Sequence, residues 1–272
     1  MIATPAWPPR SAPRLFVAGP LAAGQALVLA GGQAHYLARV MRVGEGDAVV
    51  LCDDMTGEWA ARVAHAGKRD VTLTVADKLR ERETVPDFTL CAALIKKPRF
   101  DLILEKAIEL GVRRIQPVIT RRGVADKLNL ERARAIVTEA AEQCARTALP
   151  ELAEPVKLDA LLSGWDANRA LFFADELGGE PAARAFAGYR EPLRRQGPPP
   201  VGRETEGGLG QRRDSRHAAL LIGPEGGFDD AERAAIRALP AARPVSLGPR
   251  ILRAETAAIA ATALWMATAG DW

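Results

Sequence analysis

The chain has 272 residues, 48% hydrophobic and 26% charged, a balance that suits a folded, water-soluble protein and excludes disordered, collagen-like and membrane-spanning compositions. A formal charge of +3 permits a polyanionic partner without requiring one. Its three cysteines, Cys52, Cys91 and Cys144, form no CxxC pair, and its three histidines, His35, His65 and His217, show no metal-ligand spacing; neither a metal site nor a disulfide framework is expected, and a reducing, cytoplasmic setting is.

The proline-rich N-terminus lacks an apolar core of the secretory type, so no signal peptide is expected. From Arg14 to about Val75, short β-prone runs (Leu15 to Val17, Ala26 to Leu29, Ala48 to Cys52, Val71 to Val75) are punctuated by glycine and acidic turns and predict a small barrel or β-sandwich. One helical interruption, Gln33 to Met41, carries His35, Tyr36 and Arg39, with Arg42 next. The charged run Lys78 to Val85 ends at Pro86 and reads as a linker. Beyond it strands alternate with helices, which predicts a parallel sheet and an α/β fold. Strands are expected at Phe88 to Ile95, Ile115 to Ile119, Ala170 to Ala174, Ala218 to Ile222 and Pro244 to Leu247; helices at Asp101 to Leu110, stopped by Gly111, and at Leu130 to Arg146. The segment Gly188 to Arg216, rich in glycine, proline and arginine, breaks the rhythm and reads as a flexible insertion. Asp229 followed by Glu232 is a capping-box pattern for a helix that Pro240 closes. The uncharged stretch Thr256 to Gly270 is shorter than the roughly 18 residues of a membrane span and reads as a packed core helix. The resulting division is 1–77, a linker at 78–86, and 87–272 with the insertion at 188–216.

Two glycine turns carry the chemistry. Gly223-Pro224-Glu225-Gly226-Gly227-Phe228 follows the apolar strand Ala218 to Ile222, and Ser246-Leu247-Gly248-Pro249-Arg250-Ile251-Leu252-Arg253 runs into Glu255-Thr256 and an alanine-rich helix. Where parallel strands end, such turns let backbone groups approach a ligand. Taken alone, the first motif also fits a plain tight turn. Neither GxxxxGK[ST] nor GxGxxG is matched, and Glu225 opposes a bound polyphosphate, which argues against a phosphate-loop nucleotidase. An adenine nucleoside with a positive tail fits better: a carboxylate and backbone carbonyls tolerate a sulfonium, while Leu247, Ile251 and Leu252 can sandwich adenine. S-adenosylmethionine meets that description. Helix starts favour acids over bases, so Arg253 points to a negative partner.

These two motifs, together with Lys97, the segment Glu105 to Val112, Pro117, the segment Glu139 to Arg146 and the segment His35 to Arg42, closely resemble the ribosomal RNA small-subunit methyltransferase E family, within the SPOUT class of trefoil-knotted methyltransferases. The resemblance covers nearly the whole chain except the 188–216 insertion. It implies a PUA-like RNA-binding β-barrel (1–77) followed by a SPOUT α/β domain (87–272) with a deep trefoil knot. It also implies a homodimer, free of metal and membrane, that uses S-adenosylmethionine to methylate N3 of a uridine in 16S rRNA of the small ribosomal subunit.

The cofactor-binding residues it implies are Ile222, Gly223, Pro224, Glu225, Gly226, Gly227, Leu247, Gly248, Ile251, Leu252, Arg253 and Thr256. Uracil N3 is protonated near neutral pH, so its proton must be removed or the imide anion stabilised. Arg253 is the candidate to stabilise O2 or O4, and Glu225 or Glu255 to accept the proton; a helix-start carboxylate is the alternative for Glu255. Arg14, His35, Arg39, Arg42, Lys97, Arg99, Arg121, Arg122 and Arg146 are the candidate RNA contacts, against the alternative of solvated surface charges. A non-catalytic RNA-binding assembly factor, or a SPOUT enzyme acting on another nucleotide, are the competing functions, and cofactor binding separates the first of these from an enzyme.

Overall fold

The computed structural model of this chain describes residues 7–189 and 217–272. They form two compact units, one comprising the chain up to Thr84 together with Arg134–Pro150, the other Val85–Ala133 together with Glu151–Trp272.

In the first unit the strands are β1 (Arg14–Phe16), β2 (Ala26–Ala30), β3 (Ala48–Cys52), β4 (Glu58–Ala66) and β5 (Asp70–Arg80). Helix α1 (Gly31–His35) and a π-helical turn (Tyr36–Val40) stand between β2 and β3. The five strands make one sheet in the order β1-β3-β4-β5-β2, with only β1 and β3 parallel. Alternate residues Val71, Leu73 and Val75 of β5 point inward with Val49, Leu51 and Leu37, the two-residue period of a half-buried strand. Three register shifts between β4 and β5 bend the sheet as β-bulges do.

The expected linker is partly ordered structure. β5 runs on to Arg80, and the charges that suggested a loop are paired: Arg80 with Glu58 at 2.6 Å, Arg82 with Asp54 at 3.0 Å, Glu83 with Arg146 at 3.0 Å. Glu83 also accepts from the Thr147 and Ala148 N–H groups, which helps to place Arg134–Pro150 in this unit.

In the second unit come β6 (Phe88–Ala93), α2 (Lys97–Glu109) and β7 (Arg114–Ile119), then α3 (Leu130–Gln143), whose residues from Arg134 on group with the first unit. There follow β8 (Glu151–Leu152), β9 (Val156–Lys157), α4 (Leu158–Ser163), β10 (Ala170–Ala174), β11 (Glu180–Pro181) and α5 (Ala182–Tyr189). Beyond the undescribed residues are β12 (Ala218–Ile222), α6 (Asp230–Ala238), β13 (Ala242–Ser246) and α7 (Ala254–Ala269). The insertion expected at 188–216 lies outside the described residues from 190 on; 188 and 189 end α5.

The eight strands form a parallel sheet in the order β11-β13-β10-β12-β6-β7-β8, with β9 also on β7. β6 and β12 are buried at every position, as strands covered on both faces must be. Helix α2 stops at Gly111, whose φ of 86° suits glycine. α7 packs against α2, α5, β12 and β6, and its Trp265 stacks on Phe88 with ring centroids 4.0 Å apart. No described helix is long and apolar enough to cross a membrane.

Candidate active site

β12, β10 and β13 are neighbours in the sheet and all run the same way, so the loops that follow them emerge side by side at one edge. They enclose a cleft. Ile222, Gly223, Pro224, Gly227 and Phe228 line it from the β12 loop, Leu247 to Leu252 from the β13 loop, and Ala174, Asp175 and Glu176 from the end of β10; Ala254 and Ala257 of α7 and Arg233 of α6 complete the wall.

The β12 loop is held in place from several directions. Its Gly227 has φ of 65°, and a Cβ built there would lie 2.5 Å from Glu176 Oε1, so a side chain would be strained and would displace the Glu176 carboxylate. Gly223 lies against the Phe228 ring, where a Cβ would sit 3.0 Å away. The Arg122 guanidinium donates to the Gly226 carbonyl at 3.2 Å, and Arg99 pairs with Glu225. After the loop the capping box is complete: the Asp229 carboxylate accepts from the Glu232 N–H at 2.7 Å, and Glu232 accepts from the Asp229 N–H at 3.1 Å. The Glu232 N–H, with Arg121 beside it, holds the Asp229 carboxyl below its ordinary value.

At the end of β10 the buried Asp175 carboxylate accepts from Arg233 at 3.2 Å and from Arg237 at 2.6 Å, and Glu176 accepts from Arg233 at 2.8 Å. Two arginines of α6 thus fix the acidic wall of the cleft. The β13 loop is different. Gly248 has φ of 108° and would meet nothing within 4 Å if it carried a Cβ. Arg250, Ile251 and Arg253 are exposed, Ile251 to 92%, and Arg253 caps α7 through its backbone without a side-chain cap bond.

The sequence-derived cofactor set is brought together in large part: Ile222, Gly223, Pro224, Gly227, Leu247, Gly248, Ile251 and Leu252 all line the cleft. Glu225, Gly226, Arg253 and Thr256 do not line it, although each lies within five residues of one that does. Of the catalytic candidates, Glu225 is bound to Arg99, Glu255 is buried in the first turn of α7, and Arg253 is exposed with no ion pair among the described residues. Asp175 and Glu176 were missed by sequence reasoning; the signal available was an acidic pair directly after the strand Ala170 to Ala174.

The RNA candidates divide by what they touch. Arg14 neutralises the buried Glu58 at 2.5 Å, Arg146 is buried and bonded to Glu83, Arg121 bonds Asp229 at 3.2 Å, and Arg122 and Arg99 hold the β12 loop. His35, Arg39, Arg42 and Lys97 are exposed, and no ion pair involves them among the described residues. Burial pushes the Cys91 thiol up to about 12, so it offers no thiolate. No group of three or more His, Cys, Asp or Glu residues suited to a metal occurs among the described residues.

A cleft lined by two glycine turns at the carboxyl edge of a parallel sheet lies where such sheets hold ligands, and the comparisons give the class of protein that carries it. An RNA methyltransferase domain matches residues 81–266, and an RNA methyltransferase PUA domain matches residues 29–76. The methyltransferase Lpg2936 from Legionella pneumophila, solved in complex with the bound cofactor SAM, is 28% identical, with a TM-score of 0.78 over 96% of this chain and 99% of that one. The ribosomal RNA small subunit methyltransferase E from Neisseria gonorrhoeae, bound to S-adenosyl methionine, is 25% identical, with a TM-score of 0.77 over the same shares. The ribosomal RNA small subunit methyltransferase E of Synechocystis is 32% identical over 92% of this chain and 76% of its own length. This chain belongs to the ribosomal RNA small subunit methyltransferase E family.

Proposed function

We propose that this chain transfers the methyl group of S-adenosylmethionine to N3 of a uridine in 16S rRNA of the small ribosomal subunit, working as a cytoplasmic homodimer. The observation that carries the reading is the cleft formed by the loops after β12, β10 and β13, in a chain whose relatives of the same fold were solved with that cofactor bound. The residues fit the group. Leu247, Ile251 and Leu252 offer an aliphatic wall for adenine, Gly248 leaves its backbone open, and Glu176 supplies a carboxylate toward a positive tail. When bound, S-adenosylmethionine supplies an electrophilic methyl carbon.

The chain's own residues handle the base and its proton. Arg253 meets the charge that builds on O2 or O4 as N3 becomes nucleophilic, since a guanidinium keeps its proton at any working pH. Glu255 or Glu225 accepts the N3 proton. Lys97, Arg39, Arg42 and His35 meet the RNA, the cations by phosphate contact and the imidazole by stacking.

The path of the chain supports the knotted fold of this class. β13 lies outside β10, yet α7, directly after it, packs on α2, β6 and β12, so the chain returns across the sheet, as a knotted path would need. A ribosomal substrate places the reaction in the cytoplasm.

The test is transfer of radiolabelled methyl from S-adenosylmethionine to small subunits purified from cells lacking this protein, followed by nucleoside analysis. Label in 3-methyluridine is expected. Label in another nucleoside would move the target, and tight cofactor binding with no transfer to subunits or to free 16S rRNA would sink the catalytic reading.

A further inference from the structure

Arg99 sits in the first turn of α2, where the chain carries Lys96, Lys97 and Arg99 and no acid. Bases at a helix N-terminus oppose the dipole, so a cation fixed there needs an anionic partner. Lys96 and Lys97 are exposed. Arg99 instead has two carboxylates: its NH1 group pairs with Glu225 in the β12 loop, and its Nε lies 3.6 Å from Glu255 Oε1 in the first turn of α7.

Those two carboxylates belong to the two segments that flank the cleft. Glu255 is the more buried, its side chain 10% exposed, and its Oε2 has no hydrogen-bond partner among the described residues. Its charge is therefore balanced by Arg99 and by the start of α7. Without Arg99 a buried carboxylate would lose its cation and would have to move toward another partner. Arg253 is the cap of that same helix, so displacement of its first turn moves the arginine proposed to face the base.

We infer that Arg99 is a positioning residue for methyl transfer: its guanidinium ties the β12 loop to the first turn of α7 and so sets the cofactor loop, Glu255 and Arg253 in one geometry. The planar fork, with donors on separate edges, suits a link between two acceptors where a lysine would hold one. This rests on the methyltransferase reading, and it replaces the expectation that Arg99 contacts RNA.

The test compares wild type with Arg99→Ala and Arg99→Lys. Positioning lowers kcat of Arg99→Ala tenfold or more, leaves the KM for RNA and its salt dependence unchanged, and lets Arg99→Lys recover part of the loss. A phosphate contact gives the opposite pattern, with KM raised, the salt dependence reduced and kcat intact, and that result overturns the inference. Hydrogen exchange gives a readout independent of catalysis: amides of residues 225–228 and of 255–257 should exchange faster together in Arg99→Ala, and no change in either segment also overturns it. A wild type that transfers no methyl would count against the proposed function, while exchange would still decide the role of Arg99.

Discussion

The loops after β12 and β13 border one cleft and are both rich in glycine and proline, yet they are built to opposite plans. The β12 loop is locked by its own protein: Gly227 fits under Glu176, Arg122 holds the Gly226 carbonyl, Arg99 holds Glu225, and a complete capping box follows. The β13 loop presents Arg250, Ile251 and Arg253 to solvent, and its Gly248 touches nothing that a Cβ would meet. A preorganised loop lowers the cost of binding, because its geometry is fixed before the ligand arrives. The exposed side chains of the β13 loop are free to meet a ligand without first breaking an ion pair among the described residues. Substitutions in the first loop should therefore register in stability and cofactor affinity together, and loss of the exposed Arg253 side chain in turnover.

The largest effect is expected from Arg253→Ala. Loss of one donor to a developing oxyanion typically lowers kcat by about 100- to 1,000-fold. Because this side chain makes no ion pair among the described residues, cofactor affinity and melting temperature should stay at the wild-type values. Calorimetric titration and thermal melts run beside methyl-transfer assays check both halves. A lower melting temperature would show that the loop is not bare.

Gly227→Ala comes next and acts through structure. A left-handed backbone and a Cβ 2.5 Å from Glu176 Oε1 combine mild strain with displacement of the Glu176 carboxylate, so a loss of about 1 kcal/mol is expected in denaturant unfolding, accompanied by weakened cofactor binding. Gly248→Ala sharpens the contrast. Its φ of 108° lies outside the left-handed region that other residues visit, but the space around it is free, so backbone strain of about 1–3 kcal/mol should appear with no neighbour displaced. A Glu176 carboxylate left in place by Gly227→Ala would remove the distinction between a packed loop and an open one.

The elements around the first loop were legible in the sequence, but its contrast with the second was not. The apolar run Ala218–Ile222 ending in Gly-Pro-Glu-Gly-Gly, and the acid pair Asp229/Glu232, announce a strand, a tight turn and a capped helix, because local propensity and capping chemistry act within a few residues. The strands at Ala170–Ala174 and Ala218–Ile222 were legible to the residue for the same reason. Partnership across the chain was not legible. Arg99 and Glu225 are 126 residues apart, and nothing local indicates that an arginine resembling an RNA contact is committed to a carboxylate. Arg146, expected at a surface, is buried against Glu83. Asp175 stands beside the β13 loop only because β10 pairs with β13, a neighbour relation that sequence order conceals. The charged run at 78–86 contains the boundary between the two units, at Thr84/Val85, but its pairing with Glu58, Asp54 and Arg146 could not be read from its own residues.

The smallest effect concerns acid. The Asp229 carboxyl is held below its ordinary value by the Glu232 N–H and by Arg121, so the folded state releases its proton more readily than the unfolded chain does. For a carboxyl lowered in this way, the stabilisation is fully present above the unfolded value of about 3.9 and is lost as pH falls through the folded value. Asp229→Asn keeps a capping side chain but removes the titration. Thermal melts between neutral pH and pH 3 should therefore show a slightly shallower acid decline for the variant, and proton exchange at the Glu232 amide should speed up in acid only in the wild type. The β13 loop has no group whose carboxyl is lowered by such a bond, so the acid response of the cleft should begin on the β12 side. Loosening that begins instead at the β13 loop would mean that its order depends on charges of the subunit after all, and the division between a loop held by side-chain bonds and an open one would have to be redrawn.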